Sequence, residues 1–224
     1  KMSVAFDLIL IFLLALCIWK GYQRGLILAI GSIIAIAVAF YAAGYISDTY
    51  SSEFDKALKP IALGITDKAF SNMDMESKDE NAVYNESVKG LNSAGILKTA
   101  ASNIAKELSE SFTEVTLELK SAMIEKVSSS LSYALVFIIS FVLIFILVTI
   151  IVNLIDMVFT LPILDLANGI SGAALGTVKG IFLICLIAWG CRFVGGITPP
   201  ELIEDTILLN WFMEHNFIVN LLGL

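Results

Sequence analysis

The chain has 224 residues, of which 58% are hydrophobic and 16% are charged, with a mean hydropathy of +0.86. Soluble domains average about 45–50% apolar and about 25% charged residues, so this composition, concentrated in blocks, indicates an integral membrane protein. The net charge of −7 and the lack of a basic stripe argue against nucleic acid as a partner.

The first predicted element is a transmembrane helical hairpin over residues 4–46. Its first apolar run is interrupted by Asp7, and its second run, from residue 26 to residue 46, is rich in alanine. The basic turn between them, Lys20–Gly25 (KGYQRG), is too short for anything but antiparallel neighbours. The alanines would let the hairpin pack closely against other helices.

The start of the chain does not fit a cleaved signal peptide. Positive charges, Lys20 and Arg24, follow the first apolar run instead of preceding it. Because Lys1 precedes Met2, we expect Met2 to be the native first residue.

Residues 47–130 form a second predicted region, amphipathic, helical and extramembrane, rich in acids and lysines. Pro60 is expected to break or kink its first helix, and a short helix over 82–91 is expected to end near Gly90. One long apolar stripe predicts a helix over about 98–127, with Ile104, Leu108, Phe112, Val115, Leu119, Ala122 and Met123 on one face. We expect this region to pack on itself, on the membrane surface or on a second copy, and it is the candidate surface for protein partners.

Residues 131–195 are predicted to form transmembrane helices three and four. The fourth contains glycines that give close packing against another helix, either within the chain or between copies: Gly169, Gly172, Gly176 and Gly180. A last amphipathic helix is predicted over 199–222, either lying in the membrane interface or docked on the protein itself. The fold class is therefore all-α, with four transmembrane helices.

Four charges in or beside the spans are candidate functional residues: Asp7, Arg24, Asp156 and Lys179. Asp7 also suits a plain position at the membrane interface. Lys179 lies near the middle of the fourth span, where it could pair with Asp156 or Asp165, snorkel toward the membrane surface, or take part in transport or a proton relay.

Residues with catalytic or metal-binding chemistry are sparse in the sequence. The single histidine is His215, and the three cysteines form no CxxC motif. Neither a catalytic triad nor a phosphate-binding loop is present. We therefore expect no enzyme activity, no cofactor and no metal.

Two short motifs resemble the colicin V production protein (CvpA) family. One is the Lys20–Gly25 turn leading into the second span; the other is Leu161-Pro162 followed by Gly169, Gly172, Gly176, Lys179 and Gly180. The resemblance covers residues 4–46 and 131–195. It implies a bacterial inner-membrane protein linked to colicin V production or export and to envelope maintenance, and it carries no catalytic residues to this chain.

Two functions remain open. One is a non-enzymatic membrane scaffold or assembly factor that forms homo-oligomers; the other is an oligomeric channel or transporter subunit with a pathway lined by the intramembrane charges. The basic turn with Lys20 and Arg24 predicts a cytoplasmic hairpin loop. Both termini and residues 47–130 would then lie outside the cytoplasm.

Overall fold

The computed structural model describes residues 2–73, 80–96, 98–111, 117–158, 166–191, 206–215 and 218. Within these ranges the chain forms helices and no strands, which confirms the all-α prediction. We number the helices α1 (Met2–Phe70), α2 (Glu80–Ser93), α3 (Lys98–Ser111), α4 (Leu117–Val158), α5 (Leu166–Cys191) and α6 (Leu208–Glu214).

Helix α1 is divided into two limbs by Gly25, the one residue inside it with non-helical backbone angles (φ 72°, ψ −178°). This region of backbone space is essentially restricted to glycine. The predicted turn over residues 20–25 is therefore reduced to a single residue, because Lys20 and Arg24 still belong to the first limb. We call residues 2–24 the first limb and residues 26–70 the second limb.

The two limbs run in opposite directions along α5. In the first limb, Gly21 lies against Gly172 while Leu14 lies against Gly180, so this limb is antiparallel to α5. In the second limb, Leu26 bonds to Asn168 and Phe40 contacts Phe182, so residue numbers rise together along both helices and this limb is parallel to α5. The chain thus forms a helical hairpin with its apex at Gly25.

The second limb does not end at residue 46. It continues as one helix to Phe70, so the predicted boundary between residues 46 and 47 falls inside a helix. Pro60 also lies inside this helix, contrary to the predicted break. Pro60 has no N–H to donate to the carbonyl oxygen of Lys56. Both residues are exposed, so water can hydrogen-bond to that oxygen instead.

Helix α4 is a second long helix that crosses a predicted boundary, the one between residues 130 and 131. It runs antiparallel to the second limb: Gly31 lies against Val152, and the Ser128 hydroxyl donates to the Asp55 carbonyl oxygen at 2.8 Å. Farther along the same two helices, toward the polar part of the chain, Lys120 and Asp67 form an ion pair at 2.6 Å. Two antiparallel helices therefore run without interruption from the apolar part of the chain into its polar part.

The polar part is a helical bundle formed by residues 47–70, α2, α3 and the first turns of α4. It has its own apolar core, to which all four contribute, including Ile65, Leu91, Leu108 and Met123. The long stripe predicted over 98–127 is divided between α3 and α4, and its residues Phe112 and Val115 lie outside the described residues. Packing of this region on itself is thus observed within the chain.

Gly90 does not end α2, as the sequence suggested. The helix continues to Ser93, and the turn follows at Gly95, which has φ 103°. Gly90 is instead a contact point, because a methyl group there would lie 2.7 Å from Met73 and 2.8 Å from the Ala69 carbonyl oxygen. Its small size lets α2 approach the end of α1.

Three of the described helices are long and apolar enough to cross a membrane: α1, α4 and α5. Helix α4 exposes large apolar side chains over several turns, among them Ile139, Leu143, Leu147 and Leu154. Such a surface suits contact with lipid. Because α1 is folded back at Gly25, these three helices supply four apolar segments; the count of four membrane crossings itself stays a prediction.

Large aromatic side chains fill the space between α4, α5 and the second limb. Phe137 contacts Phe40, Phe141 and Trp189, with ring centroids 5.1–6.3 Å apart. Ala39 and Ala43 of the second limb are fully buried against this cluster. The predicted use of small residues for close packing in this limb is borne out at these two positions.

Candidate functional site

The glycine strip, defined as Gly169, Gly172, Gly176 and Gly180, packs against the first limb of the same chain. A methyl group on Gly172 would collide with the carbonyl oxygen of Gly21, and one on Gly176 would collide with that of Cys17. These neighbours are backbone atoms, which cannot turn aside as a side chain can. The two helices therefore approach as closely as their backbones allow.

The ends of the strip meet side chains of the first limb. A methyl group on Gly180 would lie 2.6 Å from Leu14 Cδ1, and one on Gly169 would lie 2.8 Å from the ring of Tyr22. All four glycines thus face the first limb over about three turns of α5. The strip is occupied within the chain, which agrees with the intramolecular alternative for its role.

The hairpin apex is closed by Asn168, which lies in the first turn of α5. Its Oδ1 accepts a hydrogen bond from the backbone N–H of Leu26 at 2.7 Å. The first N–H groups of a helix have no partner within that helix, so this contact caps the second limb. No local pattern could reveal it, since the two residues are 142 positions apart.

We expect the Asn168→Ala substitution to weaken the apex by about 0.5–2 kcal/mol, the usual cost of removing a helix cap. Titration of the purified protein with sodium dodecyl sulfate in mixed micelles measures this loss of stability. The Asn168→Asp variant keeps the acceptor oxygen and should lose less. Equal stability of Asn168→Ala and wild type would contradict the capping role.

A cavity of about 250 Å³ lies between the two limbs, α4 and α5. Three cationic side chains line it: Lys20 and Arg24 from the first limb, and Lys179 from α5. Lys20 and Arg24 are exposed, so the cavity opens to the surface at the hairpin apex. Two of the predicted functional charges, Arg24 and Lys179, therefore meet in one place, joined by Lys20, which was not singled out as a candidate.

Lys179 extends over an aromatic ring of α4. Its Nζ lies 5.2 Å from the ring centroid of Phe145, within the range of a cation–π contact. The proposed ion pair with Asp156 or Asp165 stays a prediction, because the side chain of Asp156 and the whole of Asp165 lie outside the described residues. Phe145 could not be singled out from the sequence, because it is one aromatic among several in an apolar helix.

Asp7 joins the first limb to α6. Its Oδ2 accepts a hydrogen bond from the N–H of Ile207 at 2.9 Å, and its Oδ1 accepts bonds from Leu208 at 3.1 Å and Leu209 at 3.4 Å. A carboxylate at the start of a helix is favoured both by these free N–H groups and by the helix dipole. Asp7 thus has a specific intramolecular partner, and α6 is docked on the protein itself at this end.

An apolar plug separates Asp7 from the cationic cavity. It consists of buried residues from three helices, namely Leu10, Ile184, Ala188, Leu209 and Met213. The cavity ends before this plug, at Leu13 and Leu183. The predicted functional charges therefore fall into two separate environments within the described residues, one on either side of this plug.

No site for metal binding or thiol chemistry is assembled in the described part of the chain. No group of three or more His, Cys, Asp or Glu side chains there could hold a metal ion. Cys17, Cys185 and Cys191 are free thiols.

The fold and its apolar helices define a multi-pass, α-helical membrane protein. The chain matches the family described as colicin V production protein over residues 6–73 and 96–216. The chain belongs to the colicin V production protein family. No curated protein and no solved structure matches the chain.

The family match is wider than the two motifs predicted. It includes residues 47–73 and 96–130, which the resemblance left uncovered, and it extends through α6. Residues 74–95, which contain α2, lie outside it. Most of the helical bundle is thus part of the family pattern, together with the hairpin and the glycine strip.

Proposed function

We propose that this protein is a non-enzymatic scaffold or assembly factor of the bacterial inner membrane, acting in colicin V production or export and in envelope maintenance. The family supplies the link to colicin V production. One feature of the helices supports the mechanical role. The second limb and α4 pass from the apolar part of the protein into the helical bundle without a break.

Continuous helices make the bundle a rigid extension of the membrane part. About 24 residues of the second limb extend beyond residue 46, which corresponds to about 36 Å at 1.5 Å per residue. Contacts along this length join the two helices, among them the Ser128–Asp55 hydrogen bond and the Lys120–Asp67 ion pair. A surface held at a fixed height and angle is what a scaffold needs to position a partner.

The proposed topology has four membrane crossings. The two limbs, α4 and α5 alternate in direction, so the N-terminus, the helical bundle and α6 share one side. The apex at Gly25, with Lys20 and Arg24 beside it, lies on the other side, and the positive-inside rule assigns that side to the cytoplasm. The bundle would then face the periplasm.

A channel or transporter subunit is the second candidate, favoured by the cavity that reaches Lys179. The apolar plug argues against a passage through a single chain, because its buried hydrophobic residues pack between the cavity and Asp7. A pathway would have to form between copies. Since the glycine strip is already covered by the first limb, homo-oligomers would also have to use another face.

The scaffold proposal can be tested by inserting three glycines after Ser52, where the second limb enters the bundle. The insertion should uncouple the bundle from the membrane part, because three glycines interrupt the helix and change its pairing with α4. We expect release of colicin V to fall to the level of a strain that lacks the protein. A halo assay against sensitive cells measures that release.

The matched control carries the same insertion after Gly95, in the turn between α2 and α3. Turns tolerate added residues far better than helix interiors, so this variant should support release. Both proteins must be present in the membrane at wild-type amounts by immunoblot. Wild-type release by the Ser52 insertion would refute the scaffold proposal, and ion flux through the wild-type protein in liposomes would favour the channel instead.

A further inference from the structure

We propose that the cationic cavity at the hairpin apex binds the phosphate group of an anionic phospholipid. Basic pockets between transmembrane helices on the cytoplasmic side are known to take such headgroups. This proposal concerns a ligand, and it stands whether the helical bundle acts as a scaffold or not.

The charges around the cavity are unbalanced. Lys20, Arg24 and Lys179 all contribute to its lining, whereas no Asp or Glu is among the described residues that line it. Lys179 lies within electrostatic range of both Lys20 and Arg24, so each of these two cations repels it. A bound phosphate would relieve this repulsion and accept hydrogen bonds from the ammonium and guanidinium groups.

Lys179 distinguishes this arrangement from ordinary charges at a membrane surface. Lys20 and Arg24 lie within five residues of the apex, where basic residues are common on topological grounds alone. Lys179 comes from a different helix and lies eleven residues beyond Asn168, which caps the apex. Its half-buried side chain nevertheless reaches the same cavity, where its ammonium lies over the ring of Phe145.

The shape and the remaining walls favour a lipid over a free phosphate ion. The cavity volume of about 250 Å³ is slightly below the roughly 300–1,000 Å³ of pockets that enclose drug-sized ligands. It therefore suits a headgroup whose acyl chains stay outside. Leu13, Leu16 and Leu183 also line the cavity, so it offers both cationic and apolar side chains, as an amphipathic ligand requires.

Native mass spectrometry of the purified protein tests this proposal, with phosphatidylglycerol and phosphatidylcholine carrying the same acyl chains as probes. We expect phosphatidylglycerol to bind at least tenfold more tightly. Lys179→Gln and Arg24→Gln should each weaken its binding by roughly tenfold, as expected when one charged hydrogen bond is lost. Lys179→Arg should keep most of the affinity.

Lys56→Gln is the control, because it removes an exposed cation on the second limb far from the cavity. It should leave the affinity for phosphatidylglycerol unchanged. Equal binding of the two lipids by the wild-type protein would overturn the proposal, as would an equal loss in Lys56→Gln and Lys179→Gln. Competition by millimolar inorganic phosphate, with no preference between the lipids, would assign the cavity to a soluble phosphate ligand and also refute the lipid site.

Discussion

Replacing Gly172 with alanine should strongly destabilise the membrane part of the protein. The added methyl would collide with the Gly21 carbonyl oxygen and would lie 2.9–3.0 Å from backbone atoms of Gly25. Because backbone cannot rotate away, α5 and the first limb must separate. Overpacking of this kind typically costs about 1–3 kcal/mol, and we expect the upper part of that range.

Gly44→Ala is the matched control for this experiment. Gly44 lies in the second limb, also in an apolar helical segment, but a methyl group there would meet no atom within 4 Å. Since alanine favours a helix over glycine by about 0.8–1.0 kcal/mol, this variant should be as stable as wild type or more so. Titration with sodium dodecyl sulfate compares the two. Equal stability of Gly172→Ala and Gly44→Ala would show that the glycine strip is not a close backbone contact.

Removing the carboxylate of Asp7 should release α6 from the first limb. Asp7→Ala leaves the N–H groups of Ile207, Leu208 and Leu209 without their acceptor. Hydrogen bonds to a charged group contribute about 1.5–3 kcal/mol, so we expect α6 to open more often by a factor of roughly ten or more. Hydrogen–deuterium exchange of a peptide that covers residues 207–214 measures this opening.

Two further variants make the Asp7 test specific. Asp7→Asn keeps a single acceptor oxygen, so it can serve Ile207 or the other two N–H groups but not all three, and its exchange should be intermediate. Asp48→Ala removes an exposed acid of the second limb and should leave the exchange of α6 unchanged. Wild-type protection of α6 in Asp7→Ala would show that the apolar contacts of Leu209 and Met213 hold it alone.

Local patterns in the sequence were enough to predict the hairpin, the apolar segments and the close approach made by the glycines. A glycine every four residues places a smooth face on any helix, and a short basic turn between two apolar runs brings those runs together. Both features depend on neighbouring residues only. The partner of the glycine strip was left open, because a smooth face does not say which helix will cover it.

The long, uninterrupted helices were missed for a different reason. A change from apolar to polar residues near 46 and again near 130 marks a change of surroundings, which need not end a helix. Pro60 was expected to interrupt the second limb, yet its exposed position makes the missing hydrogen bond tolerable. Gly90 looked like a helix end but is a packing contact with Met73.

Contacts between distant residues account for the rest. Asp7 and Ile207 are 200 residues apart, and Asn168 and Leu26 are 142 apart, so no pattern within a window of the sequence could join them. The cavity has the same origin, since Lys179 meets Lys20 and Arg24 only after α5 has packed on the first limb. Its charges could be recognised individually from the sequence, whereas their convergence required the fold.

The rigid connection between the membrane part and the helical bundle is tested most directly by a distance within the second limb. Spin labels at Tyr41 and Lys68, both exposed, would be separated by 27 residues of continuous helix, or about 40 Å. Double electron–electron resonance in lipid nanodiscs should give one narrow distribution near that distance. A broad distribution, or one centred well below it, would contradict a continuous helix and the scaffold function proposed from it.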